Sequence, residues 1–201
     1  MGAKQTQSFT EIHRRKQIID IAIEMIATIG YQQTTLTKIA AQAGFTKGVI
    51  FYYFKNKEEL VKQTGAAMLE ELRTYTIKEM KQNKSAKSQL EKYIQAYFDF
   101  IKKNRQKFLI LMELGFNLNS SGHHSIFGAS EYRECRDRLN FILEKDNTTR
   151  PQESDLPAVI QGMLDGVSIQ WVADIKSIDL DLCRTTILNM IDSYLAASAR
   201  K

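Results

Sequence analysis

The sequence predicts an all-α protein of about nine helices. Apolar residues recur at spacings of three and four along most of the 201 residues, which is the period of one helix face. Only two prolines occur, both between positions 151 and 157, so most of the chain is free to be helical. The apolar run 49–54 resembles a buried strand, but no second β-rich segment could pair with it. We therefore expect a helix there as well.

The first three helices are predicted from their caps and stops. The first spans Phe9–Ile29 and stops at Gly30, and the second spans Leu36–Ala43, with Thr35 or Thr37 as its cap and Gly44 as its stop. Thr46 then caps a third helix, Lys47–Tyr53.

The period of the third helix assigns its aromatic residues to two faces. Ile50 and Phe54 are four residues apart and share a face, with Phe45 packing nearby. Phe51 and Tyr52 then point outward. Six longer helices follow in the sequence, predicted over 57–83, 88–103, 108–118, 130–145, 156–175 and 179–199.

The net charge of +5 lies entirely at the start of the chain. Residues 1–57 carry eight Lys/Arg and three Asp/Glu, whereas residues 58–201 carry twenty of each. This asymmetry indicates a polyanion partner for the first segment or, equally, a solvated basic arm.

Several classes of protein are not expected. No apolar run approaches the ~20 residues that span a bilayer, and the start of the chain lacks the apolar core of a signal peptide. Cys135 and Cys183 are far apart, which favours a reducing cytoplasm. Residues 60–201 show no nucleophile–base pair, metal-ligand spacing or phosphate-binding glycine loop, so we expect neither an enzyme nor a cofactor. His123 and His124 lie in a Gly/Ser loop without acidic or Cys neighbours, which argues against a metal site.

Two short helices joined by Gly44-Phe45, packed on a longer first helix, indicate a helix-turn-helix. The start of the third helix would enter a major groove, where Lys47 could donate to guanine O6 and N7. Gly48 would let the backbone approach base edges. The hydroxyls of Tyr52 and Tyr53 could reach phosphate oxygens, and Lys57 would add charge there; simple core packing is the alternative for the aromatic residues.

The stretch 34–60, TTLTKIAAQAGFTKGVIFYYFKNKEEL, resembles the TetR family of bacterial transcriptional repressors. The resemblance implies a DNA-binding domain over 1–57 and a ligand-binding and dimerisation domain over 58–201. It implies base contacts from Lys47, Gly48 and Val49, and phosphate contacts from Thr35, Thr37, Thr46, Tyr52 and Lys57. Two positions depart from the family pattern. Phe51 lacks the usual hydroxyl, so it would touch a thymine methyl, and Tyr53 replaces the usual His.

The last two predicted helices are the candidates for a homodimer interface, because each carries a broad apolar stripe and Gly162 and Gly166 would allow close helix approach. An aromatic and Met-rich set in the middle of the second domain suits an apolar effector, with ordinary core as the alternative. Glu113 could hold a cationic or polar ligand group or simply face solvent. The candidate ligand-binding residues are Phe98, Met112, Glu113, Phe116, Phe127, Tyr132 and Trp171.

We therefore expect a cytoplasmic, homodimeric DNA-binding regulator without a metal or cofactor. It would be a repressor that a small-molecule effector releases from a palindromic operator. One alternative is a ligand-independent structural or division-associated DNA-binding protein, and another is an enzyme with a DNA-binding appendage.

Overall fold

A computed structural model describes residues 9–80, 85–120, 129–145 and 155–198, without the side chains of 113–120 and 129–131. The described residues form helices and connecting turns, with no strand among them. The helices are α1 (Phe9–Gln33), α2 (Leu36–Ala43), α3 (Lys47–Tyr53), α4 (Lys57–Met80), α5 (Ala86–Lys103), α6 (Arg105–Ser120), α7 (Ala129–Glu144), α8 (Leu156–Ala173) and α9 (Leu180–Ser198). The all-α prediction is confirmed, and the helices occupy the predicted places in the chain.

The ends of the first helices follow the predicted local signals. Gly30 adopts a φ of 78° and a ψ of 162°, so the regular part of α1 ends there although helical turns continue to Gln33. The Thr35 side chain accepts a hydrogen bond from the Lys38 backbone N–H, which caps α2. The predicted stop and cap are both confirmed.

The helices group into two compact units. The first contains Met1–Leu69 and Ile110–Ile126, and the second contains Glu70–Leu109 and Phe127–Lys201. The predicted boundary at residue 57 falls before α4, whereas this grouping divides α4 between the units. The functional assignment of the two predicted domains stays a prediction.

The first unit packs α1, α2 and α3 around one small core. Each helix contributes at least one side chain that is almost fully excluded from solvent, since Ile18, Ile39 and Ile50 are at most 1% exposed. Phe54 and Leu60 complete this core, and Phe45 packs against it as predicted. Burial of side chains from each helix fixes their mutual arrangement, because protein interiors are closely packed.

In the second unit, α5, α7 and α8 pack pairwise on one another, and α9 packs on α5 and α8. The amphipathic pattern of α5 explains its central place, since nine of its residues are buried. Each of α5, α7 and α8 contributes fully buried side chains to this packing, for example Phe98, Leu139 and Leu164. No helix among the described residues is long and apolar enough to cross a membrane.

Candidate nucleic-acid interface

The turn between α2 and α3 is set by Gly44. This residue adopts the left-handed φ of 67°, which glycine reaches without the steric cost that a Cβ brings. The chain reverses here, and the Phe45 N–H donates to the Ala40 carbonyl at 2.9 Å. The Thr46 side chain then accepts from the Val49 N–H at 3.4 Å and begins α3. These local contacts build the helix-turn-helix that the sequence predicts.

The two faces of α3 are divided as predicted. Ile50 is 1% exposed and Phe54 is fully buried, so both hold α3 on the core. Phe51 is 52% exposed and Tyr52 is 71% exposed. Large aromatic side chains that are exposed on a short helix contribute little to the core, so they are available for contact with a partner.

Most of the candidate residues lie on the same exposed side of the motif or at its helix starts. We use the term α3 surface for Thr46, Lys47, Gly48, Val49, Phe51 and Tyr52, of which Val49 is half-buried and the others are exposed. Thr35 and Thr37 are exposed at the start of α2. The structure thus presents eight of the ten predicted DNA-contacting residues to a partner, although their contacts with DNA stay predictions.

Tyr53 departs from the others. Its side chain is only 6% exposed and belongs to the core of the first unit. The reason is helical spacing, because Tyr53 lies three residues after Ile50 and therefore on the same face. That signal was available in the sequence. Tyr53 therefore belongs to the core of the first unit rather than to the α3 surface.

Lys57 has an intramolecular role that sequence reasoning missed. Its Nζ donates to the Tyr31 carbonyl at 2.6 Å and lies 3.9 Å from the centroid of the Tyr31 ring. A second contact reaches the Gln32 carbonyl at 3.4 Å. The carbonyls at a helix C-terminus carry partial negative charge, so a lysine there is stabilising. Burial lowers the pKa of Lys57. Its ammonium is engaged by the end of α1 rather than presented on the α3 surface.

Arg15 joins α1 to the end of α3 and the start of α4. One guanidinium nitrogen donates to the Gln63 Oε1 at 2.7 Å and to the Tyr53 carbonyl at 3.3 Å. The same group lies over the Phe54 ring, 5.3 Å from its centroid. A half-buried arginine with these partners positions the last turn of α3. Nothing in the local sequence identifies this role, because its partners are 38 and 48 residues away.

Tyr52 makes a contact that bears on its predicted phosphate role. Its hydroxyl donates to the Glu11 Oε1 at 2.8 Å. This hydrogen bond, together with the negative charge of Glu11, raises the pKa of the Tyr52 phenol, so the hydroxyl remains a donor at neutral pH. Glu11 lies in the first turn of α1, where the helix dipole favours a carboxylate.

An open cleft joins the start of α1 to the α3 surface. Besides residues already described, it is lined by Thr10 and Arg14. Arg14 is exposed. A guanidinium at this edge is well suited to phosphate oxygens. Arg14 is one of the eight basic residues of the first segment, and the sequence patterns assigned it no contact.

The candidate ligand-binding residues are less fully described. Phe98 is buried on α5, Met112 and Trp171 are half-buried on α6 and α8, and Tyr132 on α7 is 36% exposed. The side chains of Glu113 and Phe116, and the residues Phe127, His123 and His124, lie outside the described part of the structure. A common effector site for this set stays a prediction. The described residues contain no group of three or more His, Cys, Asp or Glu that could hold a metal ion.

Comparison with known proteins agrees with the motif. The family described as bacterial regulatory proteins, tetR family, matches residues 18–64, which cover most of α1, all of α2 and α3, and the start of α4. The chain belongs to the TetR family.

Relatives of this TetR-family chain fall into two groups by the share of sequence that matches. The fatty acid metabolism regulator protein of Bacillus subtilis is 36% identical over 85 residues, which is 42% of this chain and 44% of that protein. The nicotine-responsive transcriptional repressor of Paenarthrobacter nicotinovorans is 23% identical over 92% of this chain and 95% of its own length.

A solved structure extends the similarity to both units. The crystal structure of the regulator FadR from Bacillus subtilis in complex with stearoyl-CoA is 26% identical, with a TM-score of 0.67. The match covers 87% of this chain and 96% of that protein. The TetR-family chain is therefore a DNA-binding transcriptional regulator, and these relatives are regulators rather than enzymes.

Proposed function

We propose that this TetR-family regulator is a repressor that binds a palindromic operator as a homodimer. A small-molecule effector bound in the second unit would release it. The main support for the proposal is the α3 surface. It exposes Lys47, Gly48 and two aromatic side chains on a helix whose opposite face is buried. As a regulator of transcription in a bacterial cell, it would act in the cytoplasm.

The contacts proposed for α3 divide into base reading and backbone positioning. Lys47 would donate to guanine O6 and N7, Gly48 and Val49 would lie against base edges, and Phe51 would contact a thymine methyl. Phosphate contacts position the protein without reading sequence. We assign them to exposed donors around the motif: Thr35, Thr37, Thr46 and Tyr52, with Arg14 added by the cleft.

A homodimer is supported by apolar residues that the second unit leaves uncovered on α8 and α9. On α8 these are Val159 and Ile169, which are 53% and 39% exposed, with Gly162 exposed between them. On α9, Leu182, Met190 and Tyr194 are 65%, 56% and 47% exposed. Several residues of the stripes predicted from sequence, such as Ile160 and Ile187, instead belong to the core of their own unit.

Two copies of α3 related by a two-fold axis would read two half-sites. In helix-turn-helix dimers such half-sites lie about 10 bp apart or at a multiple of that distance, so the operator is palindromic. An effector that favours a different spacing of the two α3 helices would lower operator affinity by shifting the population of conformations.

The effector class does not follow from similarity alone. One relative is named as nicotine-responsive, and another has been crystallised with stearoyl-CoA. These molecules differ in size and charge. The chemical class of the effector must therefore be inferred from the residues of this chain.

The test is selection of bound sequences from random double-stranded DNA, followed by affinity measurement at fixed salt. We expect a palindrome. Lys47→Ala should weaken binding by about 1–3 kcal/mol and relax the preference at one position of each half-site. Tyr52→Phe should weaken binding to every sequence alike.

Lys92→Ala is the matched control, because Lys92 is an exposed lysine on α5 in the second unit. It should leave operator binding unchanged. If Lys47→Ala and Tyr52→Phe behave like this control, the assignment of α3 to the groove is wrong. If the operator is bound but no small molecule releases it, the chain is instead a ligand-independent DNA-binding protein.

A further inference from the structure

A polar cluster lies where α5 and α8 meet in the second unit. The Tyr97 hydroxyl donates to the Asp165 Oδ1 at 2.6 Å, and the Gln161 Nε2 donates to the same oxygen at 2.8 Å. The Tyr93 hydroxyl donates to the Gln161 Oε1 at 3.3 Å. Tyr93, Tyr97 and Gln161 are 3%, 3% and 5% exposed. Hydrogen-bonded side chains this deeply buried hold the Asp165 carboxylate in a fixed place.

Asp165 has half of its hydrogen-bonding capacity in use. Both described hydrogen bonds go to Oδ1, and none of the described contacts reaches Oδ2. No Lys or Arg among the described residues forms an ion pair with it, although the charge of Arg138 on α7 partly offsets the rise that burial causes in the pKa values of the neighbouring Tyr93 and Cys135. Asp165 is also the single charged residue of α8. Carboxylates withdrawn from water are normally paired with a cation, and no residue in the described part of the chain supplies one to Asp165.

The surroundings of Asp165 are aromatic and poorly solvated. Burial raises the pKa of the Asp165 carboxyl, so its charge is held at a cost. Tyr132 and Cys135 of α7 are close enough for the charge of Asp165 to raise the pKa of each. Asp165 and Tyr132 are only partly buried, so the cluster is not closed off from solvent. One helical turn beyond Asp165, the fully buried Ser168 Oγ has no hydrogen-bond partner among the residues that the structure describes.

We infer that Asp165 is the recognition group for a cationic effector, an amine or a quaternary ammonium compound, bound beside the tyrosines of α5 and α7. The free carboxylate oxygen would pair with the positive charge, and aromatic rings attract such cations through their faces. The inference deepens the proposed function by naming the class of effector. It also argues against a ligand with an anionic group at this end, because that group would meet the negative charge of Asp165.

The inference is tested by calorimetric titration of the purified full chain, without DNA. The probes are n-butylammonium and butyltrimethylammonium, with n-butanol and butyrate as uncharged and anionic counterparts of equal chain length. We expect the two ammonium ions to bind more tightly than their counterparts. Asp165→Asn, which keeps the size of the side chain, should weaken their binding at least about tenfold.

Asp192→Asn is the matched control, because Asp192 is an exposed carboxylate on α9 that pairs with Lys87 at 2.6 Å. It should leave ammonium binding unchanged. Asp165→Glu, which restores the charge, should recover part of the affinity. This second variant separates loss of charge from loss of folding.

Three results would overturn the inference. The first is equal ammonium binding by wild type and Asp165→Asn, and the second is absence of ammonium binding or preference for butyrate. The third is a weaker dimer in Asp165→Asn without ammonium binding, because the partner of Asp165 would then be a basic group of a second copy. Operator binding is measured separately. A chain that binds the operator but no ammonium ion refutes this inference alone, whereas ammonium binding without operator binding refutes the proposed function.

Discussion

The Tyr52 hydroxyl has one proton and, in the DNA complex, two possible acceptors. In the structure it donates to Glu11 at 2.8 Å. The proposed phosphate contact requires the same proton. Glu11 also brings a negative charge to the cleft that it lines with Arg14 and Tyr52, close to where phosphates would lie. A carboxylate in this place should therefore oppose DNA binding, both by competing for the proton and by repelling the backbone.

Glu11→Gln is expected to tighten operator binding roughly three- to tenfold at low salt, because it removes one charge next to the DNA backbone. The gain should shrink as salt is added. Titration of labelled operator at two salt concentrations measures both effects.

Glu24→Gln, which removes an exposed carboxylate further along α1, is the control and should change the affinity less. Weaker binding by Glu11→Gln would mean that Glu11 orients Tyr52 for the phosphate contact rather than opposing it.

Asp165 gives a pH dependence whose sign follows from its environment. Burial raises its folded-state pKa above the ordinary value of 3.8. The folded protein therefore holds this proton more tightly than the unfolded chain. The ionised carboxylate lowers stability, an effect absent below the unfolded pKa and complete above the folded pKa. Its described neighbours Tyr93, Tyr97, Tyr132 and Cys135 have raised pKa values and stay neutral in this range.

Asp165→Asn should consequently gain stability relative to wild type as the pH rises from about 4 to about 7. Thermal unfolding of both proteins across this range measures the difference in Tm. A difference that stays constant with pH would show that the carboxyl titrates at its ordinary value in the folded protein.

At the scale of the element, the two glycines of the helix-turn-helix differ in what the fold requires of them. Gly44 needs its φ of 67°, although a Cβ there would meet no atom within 4 Å. Gly48 has ordinary helical backbone, and a Cβ would meet only the Thr46 Oγ1 at 3.8 Å, an ordinary contact. The first glycine is thus required by the fold, and the second is free to change as far as the fold is concerned.

The pair Gly44→Ala and Gly48→Ala should separate stability from DNA binding. Gly44→Ala is expected to lower the free energy of unfolding by about 1–2 kcal/mol, the cost of a left-handed non-glycine residue. Gly48→Ala should keep or raise stability, by up to about 1 kcal/mol from helix propensity, while lowering operator affinity. Urea unfolding and operator titration of both variants test this. Full affinity in Gly48→Ala would mean that no base edge approaches this backbone.

The elements that sequence reasoning predicted well are those with local signals. Gly30, Thr35, Gly44 and Thr46 mark helix ends through contacts within a few residues, so the helix-turn-helix and the two faces of α3 followed from the sequence. The recurrence of apolar residues every three or four positions likewise predicted the helices of the second unit.

The residues that were missed act over long separations in the chain. Lys57 caps the end of α1 from 26 residues away, and Arg15 reaches α3 and α4 from 38 and 48 residues away. No local pattern marks such contacts. Asp165 is different, because a single acid in the otherwise uncharged α8 is visible in the sequence, although the isolated acid predicted as a ligand contact was Glu113.

For the whole molecule, the residues left exposed on α8 and α9 define the expected dimer. An arginine buried in that interface would lose its hydration without gaining a counter-ion, which would weaken the association of the two copies. Met190 lies on α9 and is 56% exposed, whereas Phe141 lies on α7 and is 66% exposed. The two side chains are similar in exposure but differ in the helix that presents them.

Met190→Arg should raise the dimer dissociation constant by about a hundredfold or more, and operator affinity should fall with it. Phe141→Arg should leave both unchanged. Analytical ultracentrifugation over a range of concentrations measures the constant. Dissociation caused by Phe141→Arg, with Met190→Arg still dimeric, would place the interface on α7.

Trp171 is the single tryptophan of the chain, and it lies half-buried on α8, six residues beyond Asp165. Intrinsic indole fluorescence therefore originates entirely in the second unit. The first unit contributes tyrosine emission only. Excitation at the red edge of the indole band makes the protein its own reporter, without a label, for events near α8. The emission is measured once on adding effector and once on adding operator DNA. Whether the change that effector causes also occurs with operator DNA would show whether the two binding events are coupled.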